Sequence, residues 1–259
     1  MDGAATPWIS ALRSSHDRLA TLVTPLGPDQ VTRPSMASDW TVAQVLSHLG
    51  SQAEIFGAIL VAVLEGGELP GRDSFPPIWD AWNSRSPADQ VADGVAANGA
   101  LVERLESLPE AQLAALWFPM FGMDLDAVGF LRMRLSEHAV HTWDVAAALE
   151  PGATVAPDAV DLLFDGLPDL VRRAGKGRDE PVRVRVVTSD PTRELVLVVA
   201  EEVHLDPWDS GSADGELRLP AEAFLRLVYG RLLEAPAAVV EYDATALTLD
   251  DLRAVFPGF

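Results

Sequence analysis

The chain has 259 residues, a formal net charge of −20, a pI near 4.4, 48% hydrophobic residues and no cysteine. That much apolar material fills a core, and the length suits one large domain or two modest ones, with two the better expectation. An excess of 39 acidic over 19 basic residues argues against a grip on nucleic acid or on an anionic membrane surface, both of which need a basic footprint. The missing thiols exclude disulfides, thiolate metal sites and a built-in sulfur nucleophile.

The opening residues carry neither a basic patch nor an apolar run, so no signal peptide is expected. The longest apolar run, Ile55 to Leu64, is too short to span a bilayer and stops at Glu65. The expectation is a soluble cytoplasmic protein. A first helix is predicted from Trp8 to Val23, opened by Pro7 and closed by Pro25. A second runs from Thr41 to Leu64, with Ser38 and Asp39 as candidate caps and Gly66-Gly67 as the stop. Its apolar residues Val42, Val45, Leu46, Leu49, Ala53, Phe56 and Leu60 recur at threes and fours. Residues 65 to 86, with Trp79 and Trp82, read as a long connection. A third helix is predicted from Pro87 to Leu108 and a fourth from Leu125 to Leu149, ended by Pro151-Gly152. Four long helices with one long crossover predict a four-helix bundle.

The period then changes. Val182, Val184 and Val186 alternate with Arg183 and Arg185, the pattern of a strand with one buried face. Leu195 to Ala200 reads as a second strand, and Glu202 to Leu205 and Glu216 to Leu219 as weaker ones around the turn-rich stretch Asp206 to Gly215. A helix is predicted from Ala221 to Leu233 and a strand from Ala238 to Tyr242. The fold class is α+β, with an N-terminal helical bundle over residues 1–152 and a smaller α+β domain over 153–259.

Five histidines hold most of the candidate chemistry. Glu137 and His141 are four apart, so they project from one face of the fourth helix. An acid and an imidazole so placed can chelate one metal ion, and His48 on the second helix is a candidate third ligand. Two histidines and one glutamate with an open fourth position is an arrangement of catalytic zinc. His138 and His141, three apart, are an alternative pair, although His138 points toward Leu131 and Val145 as a packing residue. Arg134, Glu137, His141 and Asp144 share a stripe that is costly to bury unless paired or metal-bound. Asp144 is placed to orient a ligating imidazole. His16 and His204 read as surface or strand positions without chemistry. Trp79 and Trp82 read as core caps or the mouth of a pocket. Asp206 to Gly211 lacks the alternating acids of a calcium loop and reads as a turn.

Four stretches together carry a family likeness: Trp40-Thr41-Val42 leading to Ser47-His48-Leu49; Glu137 through Val145; Gly211 to Pro220 running on to Tyr229-Gly230-Arg231-Leu232; and the terminal Val255-Phe256-Pro257-Gly258-Phe259. In this order they resemble the mycothiol-dependent maleylpyruvate isomerase family of the DinB-like superfamily. The resemblance implies a bundle whose divalent metal, usually zinc, is held by His48, Glu137 and His141. It also implies a C-terminal domain supplying an arginine implicated in catalysis, for which Arg231 is the match. The implied cosubstrate is mycothiol, which supplies the thiol this chain lacks.

The expected function is activation of a low-molecular-weight thiol for addition to an electrophilic small molecule. Elimination after bond rotation gives cis–trans isomerisation, and release of the adduct gives S-transfer. Arg231 or Arg134 is expected to neutralise a substrate carboxylate or developing enolate. The rival expectations are a non-catalytic small-molecule or metal-binding protein on the same bundle, and a hydrolase using zinc-bound water. No nucleic-acid or membrane partner is expected, and the chain is expected to be a monomer or homodimer.

Overall fold

The computed structural model describes residues 4–37, 39–120, 122–232, 240–244 and 247–258. Ser38, Leu233, Ala238 and Phe259, each part of an expected cap, helix, strand or motif, lie outside the described residues. The chain divides into two units, Met1–Ala153 and Thr154–Phe259.

The first unit is built on four long helices: α1 (Thr6–Val23), α3 (Val42–Glu65), α5 (Pro87–Glu106) and α7 (Ala127–Leu149). A short α2 (Pro28–Val31) lies between the first two. Both α1 and α3 pack against α5 and α7. The apolar stripe read from the sequence is the buried face of α3: Val42, Val45, Leu46, Leu49, Ala53, Phe56 and Leu60 are all buried. By length and composition α3 could also cross a bilayer, but 61% of its most apolar window is buried inside the unit, as in a core helix.

Four details differ from the sequence expectation. Helix α3 is capped by Thr41 and not by Asp39: the Thr41 side chain accepts from the Gln44 backbone N–H, and the Gln44 side chain accepts from the Thr41 N–H. The long connection contains a 3₁₀ turn (Arg72–Ser74) and helix α4 (Phe75–Asn83), whose prolines sit in the first turn, where a missing N–H costs nothing. Helix α7 starts at Ala127, with Asp126 accepting from the Gly129 N–H. The residues before it follow α6 (Glu110–Ala115) and form a hairpin of β1 (Trp117–Met120) and β2 (Met123–Asp126).

Close helix packing in this unit needs glycine at two places. A Cβ on Gly94 of α5 would meet the Leu46 carbonyl oxygen of α3 at 2.6 Å, and one on Gly50 would run into the Trp82 ring.

The second unit opens with two short helices, α8 (Pro157–Phe164) and α9 (Leu167–Ala174). A five-stranded sheet follows, formed by β3 (Val182–Ser189), β4 (Arg193–Val199), β5 (Val203–Pro207), β6 (Gly215–Pro220) and β7 (Glu241–Ala244). Its order is β5-β4-β3-β6-β7, antiparallel except for the parallel β3/β6 pair. The valines at 182, 184 and 186 are buried, as their alternation requires. Helix α10 (Ala221–Val228) follows β6, and α11 (Leu249–Val255) lies near the end of the chain. Asp209, in the turn after β5, accepts two hydrogen bonds from Arg183 and one from the Gly211 N–H, so its carboxylate is committed to holding that turn.

Candidate metal centre

Helices α3 and α7 are neighbours and present one ligand atom each from His48, Glu137 and His141, all within 4.8 Å of one another. Glu137 Oε2 lies 3.2 Å from His48 Nε2 and 3.7 Å from His141 Nε2. Tetrahedral ligands at ordinary zinc bond lengths sit roughly 3.3 Å apart, so the two pairs that involve Glu137 are already near the spacing one divalent ion needs. Among the described residues this is the one cluster of metal-ligating side chains.

The orientation of His141 is fixed from behind. Its Nδ1 donates to Asp144 Oδ2 at 2.9 Å, one turn along the same helix, and Asp144 is fully buried. That bond leaves Nε2 with its lone pair toward the cluster. Glu137 is fixed from the side. Gln52, four residues after His48 on α3, donates its amide N–H to Glu137 Oε2 at 2.8 Å. The Gln52 carbonyl in turn accepts from Arg134 Nη1 at 2.7 Å. A guanidinium only donates, so its contact assigns the amide: oxygen toward Arg134, nitrogen toward Glu137.

Arg134 is 1% exposed, and its Nη2 donates to the Leu49 carbonyl and to Asn98 Oδ1. Burial lowers its pKa to about 10, with the Glu137 charge opposing the shift. Its hydrogen bonds make Arg134 a brace for Gln52 and for the α3–α5–α7 junction.

Burial raises the Glu137 pKa. The His48 hydrogen bond, the His141 and His48 charges and the Gln52 amide outweigh that effect and bring the carboxyl down to about 2. Burial lowers His48, against the pull of Glu137. Both shifts favour the metal-ready forms, a carboxylate and a neutral imidazole. Trp40 covers the two histidines, its ring 4.9 Å from His48 and 5.9 Å from His141. His48 and Glu137 lie at the wall of a cavity of about 820 Å³, which Ile55, Phe56, Phe75 and Trp79 also line.

The sequence profile of the mycothiol maleylpyruvate isomerase N-terminal domain matches residues 12–146, a little over half the chain and including all three candidate ligands. The chain belongs to this family. Two crystal structures of mycothiol-dependent maleylpyruvate isomerase, one of them of a mutant, resemble the chain with a TM-score of 0.66. The likeness covers 92% of each chain at 12% and 13% identity, so it is a likeness of fold spanning both halves. No curated protein sequence matches the chain.

The other residues singled out from the sequence fall as follows in this family member. His138 is fully buried and packs, with Nδ1 2.9 Å from Ser15 Oγ. His16 is buried in α1 rather than on the surface, its ring centroid 6.4 Å from that of His138. Trp82 is a core residue whose indole N–H donates to Glu54, whereas Trp79 is 43% exposed at the cavity wall. Arg231 belongs to the second unit, where its Nη1 donates to the Tyr229 carbonyl at 2.9 Å across Gly230, a glycine at φ +70. Gln52 and Trp40 were not expected at the site. Their signals were present all the same: Gln52 repeats the four-residue spacing from His48, and Trp40 opens the family motif.

Proposed function

We propose that this protein is a divalent-metal enzyme, with zinc the natural ion for two imidazoles and a carboxylate, that uses a low-molecular-weight thiol to isomerise an electrophilic small molecule. The observation that carries this reading is the convergence of His48, Glu137 and His141, the first two at the wall of a large cavity, in a chain with no thiol nucleophile of its own. Family membership supports mycothiol as the thiol and a maleylpyruvate-isomerase-like cis–trans isomerisation as the reaction.

A cation held by these three residues keeps net positive charge and lowers the pKa of a thiol placed against it. The remaining work falls to the chain. His48, Glu137 and His141 hold the ion, Asp144 and Gln52 keep two of those ligands in place, and the cavity wall positions the substrate. Sulfur adds to one carbon of an activated cis double bond, and the electron pair moves onto the conjugated carbonyl. The former double bond rotates, and the pair returns to expel the thiol, leaving the trans product and the thiol unchanged. Arg231 is proposed as the arginine that steadies the charge developing on the carbonyl oxygen. Release of the adduct before elimination would make the net reaction S-transfer. The cytoplasm, where reduced thiols are kept, is the proposed compartment.

The test is a turnover assay with metal-loaded protein and an activated cis-alkenoic substrate, with and without mycothiol. Isomerisation that requires the thiol and leaves its concentration unchanged supports the reading. Thiol consumed in proportion to product identifies the S-transferase, and isomerisation that proceeds equally well without thiol overturns the reading.

A further inference from the structure

The two candidate imidazoles are held in different ways. His141 is tied through Nδ1 to the fully buried Asp144, and only 10% of its side chain is exposed. His48 has 25% of its side chain exposed, and among the described residues its Nδ1 makes no hydrogen bond: the one polar contact of its ring is Nε2 against Glu137. Ring packing stands where that bond would be. The His48 imidazole has two aromatic neighbours, the Trp40 indole tilted by 46° at 4.9 Å and the His141 ring edge-on at 4.8 Å. Both separations are in the range where aromatic pairs attract beyond their buried area. A ligating imidazole without an outer hydrogen-bond partner turns about its side-chain bonds unless packing blocks it.

Trp40 is itself placed by both ligand-bearing helices. It immediately precedes Thr41, the N-cap of α3. Its backbone is engaged in a tight turn. The Trp40 N–H donates to the Ala37 carbonyl at 3.1 Å, and the Trp40 carbonyl accepts from the Ser35 N–H and the Ser35 hydroxyl, each at 2.8 Å. Pro34 pairs with Thr41 across the base of this turn. The Met36 N–H docks the turn on α7 by donating to the backbone carbonyl of Asp144 at 3.0 Å. Asp144 thus anchors the segment that carries Trp40 with its main chain and orients His141 with its side chain. The indole lines the cavity together with His48 and Glu137, and 37% of Trp40 is exposed, so it is a wall residue and not a core one.

We propose that Trp40 is a positioning residue for His48: its indole, fixed by the turn that Ser35 and Ala37 close, holds the imidazole toward Glu137 and His141 before a metal arrives. This rests on the reading of these three residues as a metal centre. It divides the outer work among Asp144 for His141, Gln52 for Glu137 and Trp40 for His48, the first two by hydrogen bonds and the third by packing. Without the indole, metal binding has to immobilise a ring that the parent protein holds ready. That cost falls on affinity, whereas loss of a partly exposed side chain leaves the fold in place.

The test is zinc affinity, measured by competition with a chromophoric chelator, alongside the urea midpoint of the metal-free protein. Trp40→Leu keeps an apolar side chain but removes the flat ring. It should weaken zinc binding about 3- to 10-fold, the equivalent of ordering one side chain on binding, at an unchanged midpoint. Trp40→Phe should restore most of the affinity. Added to Asp144→Asn, Trp40→Leu should multiply the loss, because the two changes act on different ligands. Affinity in Trp40→Leu equal to that of the parent, whatever the midpoint does, overturns the proposal, as does Trp40→Phe binding as weakly as Trp40→Leu. A double variant no weaker than Asp144→Asn alone assigns the effect of Trp40 to His141 and overturns it too. A parent protein that binds no zinc refutes the metal centre and this role with it. A parent that binds zinc no better than Trp40→Leu does refutes the positioning role alone.

Discussion

Gln52 donates its side-chain amide N–H, at 2.8 Å, to the same Glu137 oxygen that faces His48. Arg134 grips the other end of that amide, so the carboxylate is steadied by a chain of two hydrogen bonds that begins at a fully buried guanidinium. Partners of this kind, one step removed from a metal, typically change affinity by about 10- to 100-fold. Gln52→Leu is therefore expected to weaken zinc binding by at least about tenfold while the far-ultraviolet circular dichroism stays unchanged. Competition with a chromophoric chelator measures it, and unaltered affinity would reduce Gln52 to a packing residue.

His48→Ala removes one of three proposed ligands and should strip most of the bound metal, as read by elemental analysis after desalting. Asp144→Asn should act more gently: the His141 ring loses its charged partner but keeps its place, and affinity should drop by about tenfold. Full metal occupancy in His48→Ala would refute the ligand assignment.

Arg231→Ala separates binding from chemistry. Metal content and thiol binding should match the parent protein, and kcat should fall with little change in KM, because the arginine is proposed to act on charge that develops during the reaction. Unchanged kinetics would return Arg231 to holding the Tyr229–Gly230 turn.

Gly94 allows α5 to approach the backbone of α3. Gly94→Ala would force a methyl group to within 2.6 Å of the Leu46 carbonyl oxygen, which belongs to a helix backbone and cannot swing away. A cost of about 1–3 kcal/mol is expected for overpacking of this kind. Urea unfolding of the metal-free protein reports it as a lower midpoint at constant slope.

The buried histidines make the bundle sensitive to acid. Burial depresses the His16 pKa; Asp17 and Glu103 pull it up, Arg13 and Arg134 push it further down, and the net shift is downward. The folded state thus resists a proton that the unfolded chain accepts below about pH 6.5. This contribution to stability is complete above that pH and is lost as pH falls toward the depressed folded value. Metal-free protein should therefore be less stable at pH 5.5 than at pH 7.5. His16→Leu should narrow the gap, by at most about 1.4 kcal/mol per pH unit.

What was legible in the sequence was local and periodic. The stripe from Val42 to Leu60 places α3 and its buried face because burial of a helix repeats at threes and fours. The Glu137/His141 spacing needs only helix geometry to bring two donors to one face. What was not legible depends on partners far away in the chain. Nothing within residues 127–149 says that Arg134 ends against Gln52 and Asn98 rather than in solvent. His16 likewise shows its burial only once α5 and α7 are in place. Helix α4 was hidden by its two prolines, which read as breakers but occupy the first turn.

Helices α3 and α7 are separated by more than 60 residues of intervening chain, yet the three donor atoms lie on these two rods and on no loop. An ion seated there bolts the bundle across its middle and exists only while the bundle is folded. At a free concentration 100 times its dissociation constant, that linkage adds about 2.7 kcal/mol to the folded state. The melting temperature of this protein should thus double as a gauge of the metal supply around it, rising and falling as the ion is buffered up or down.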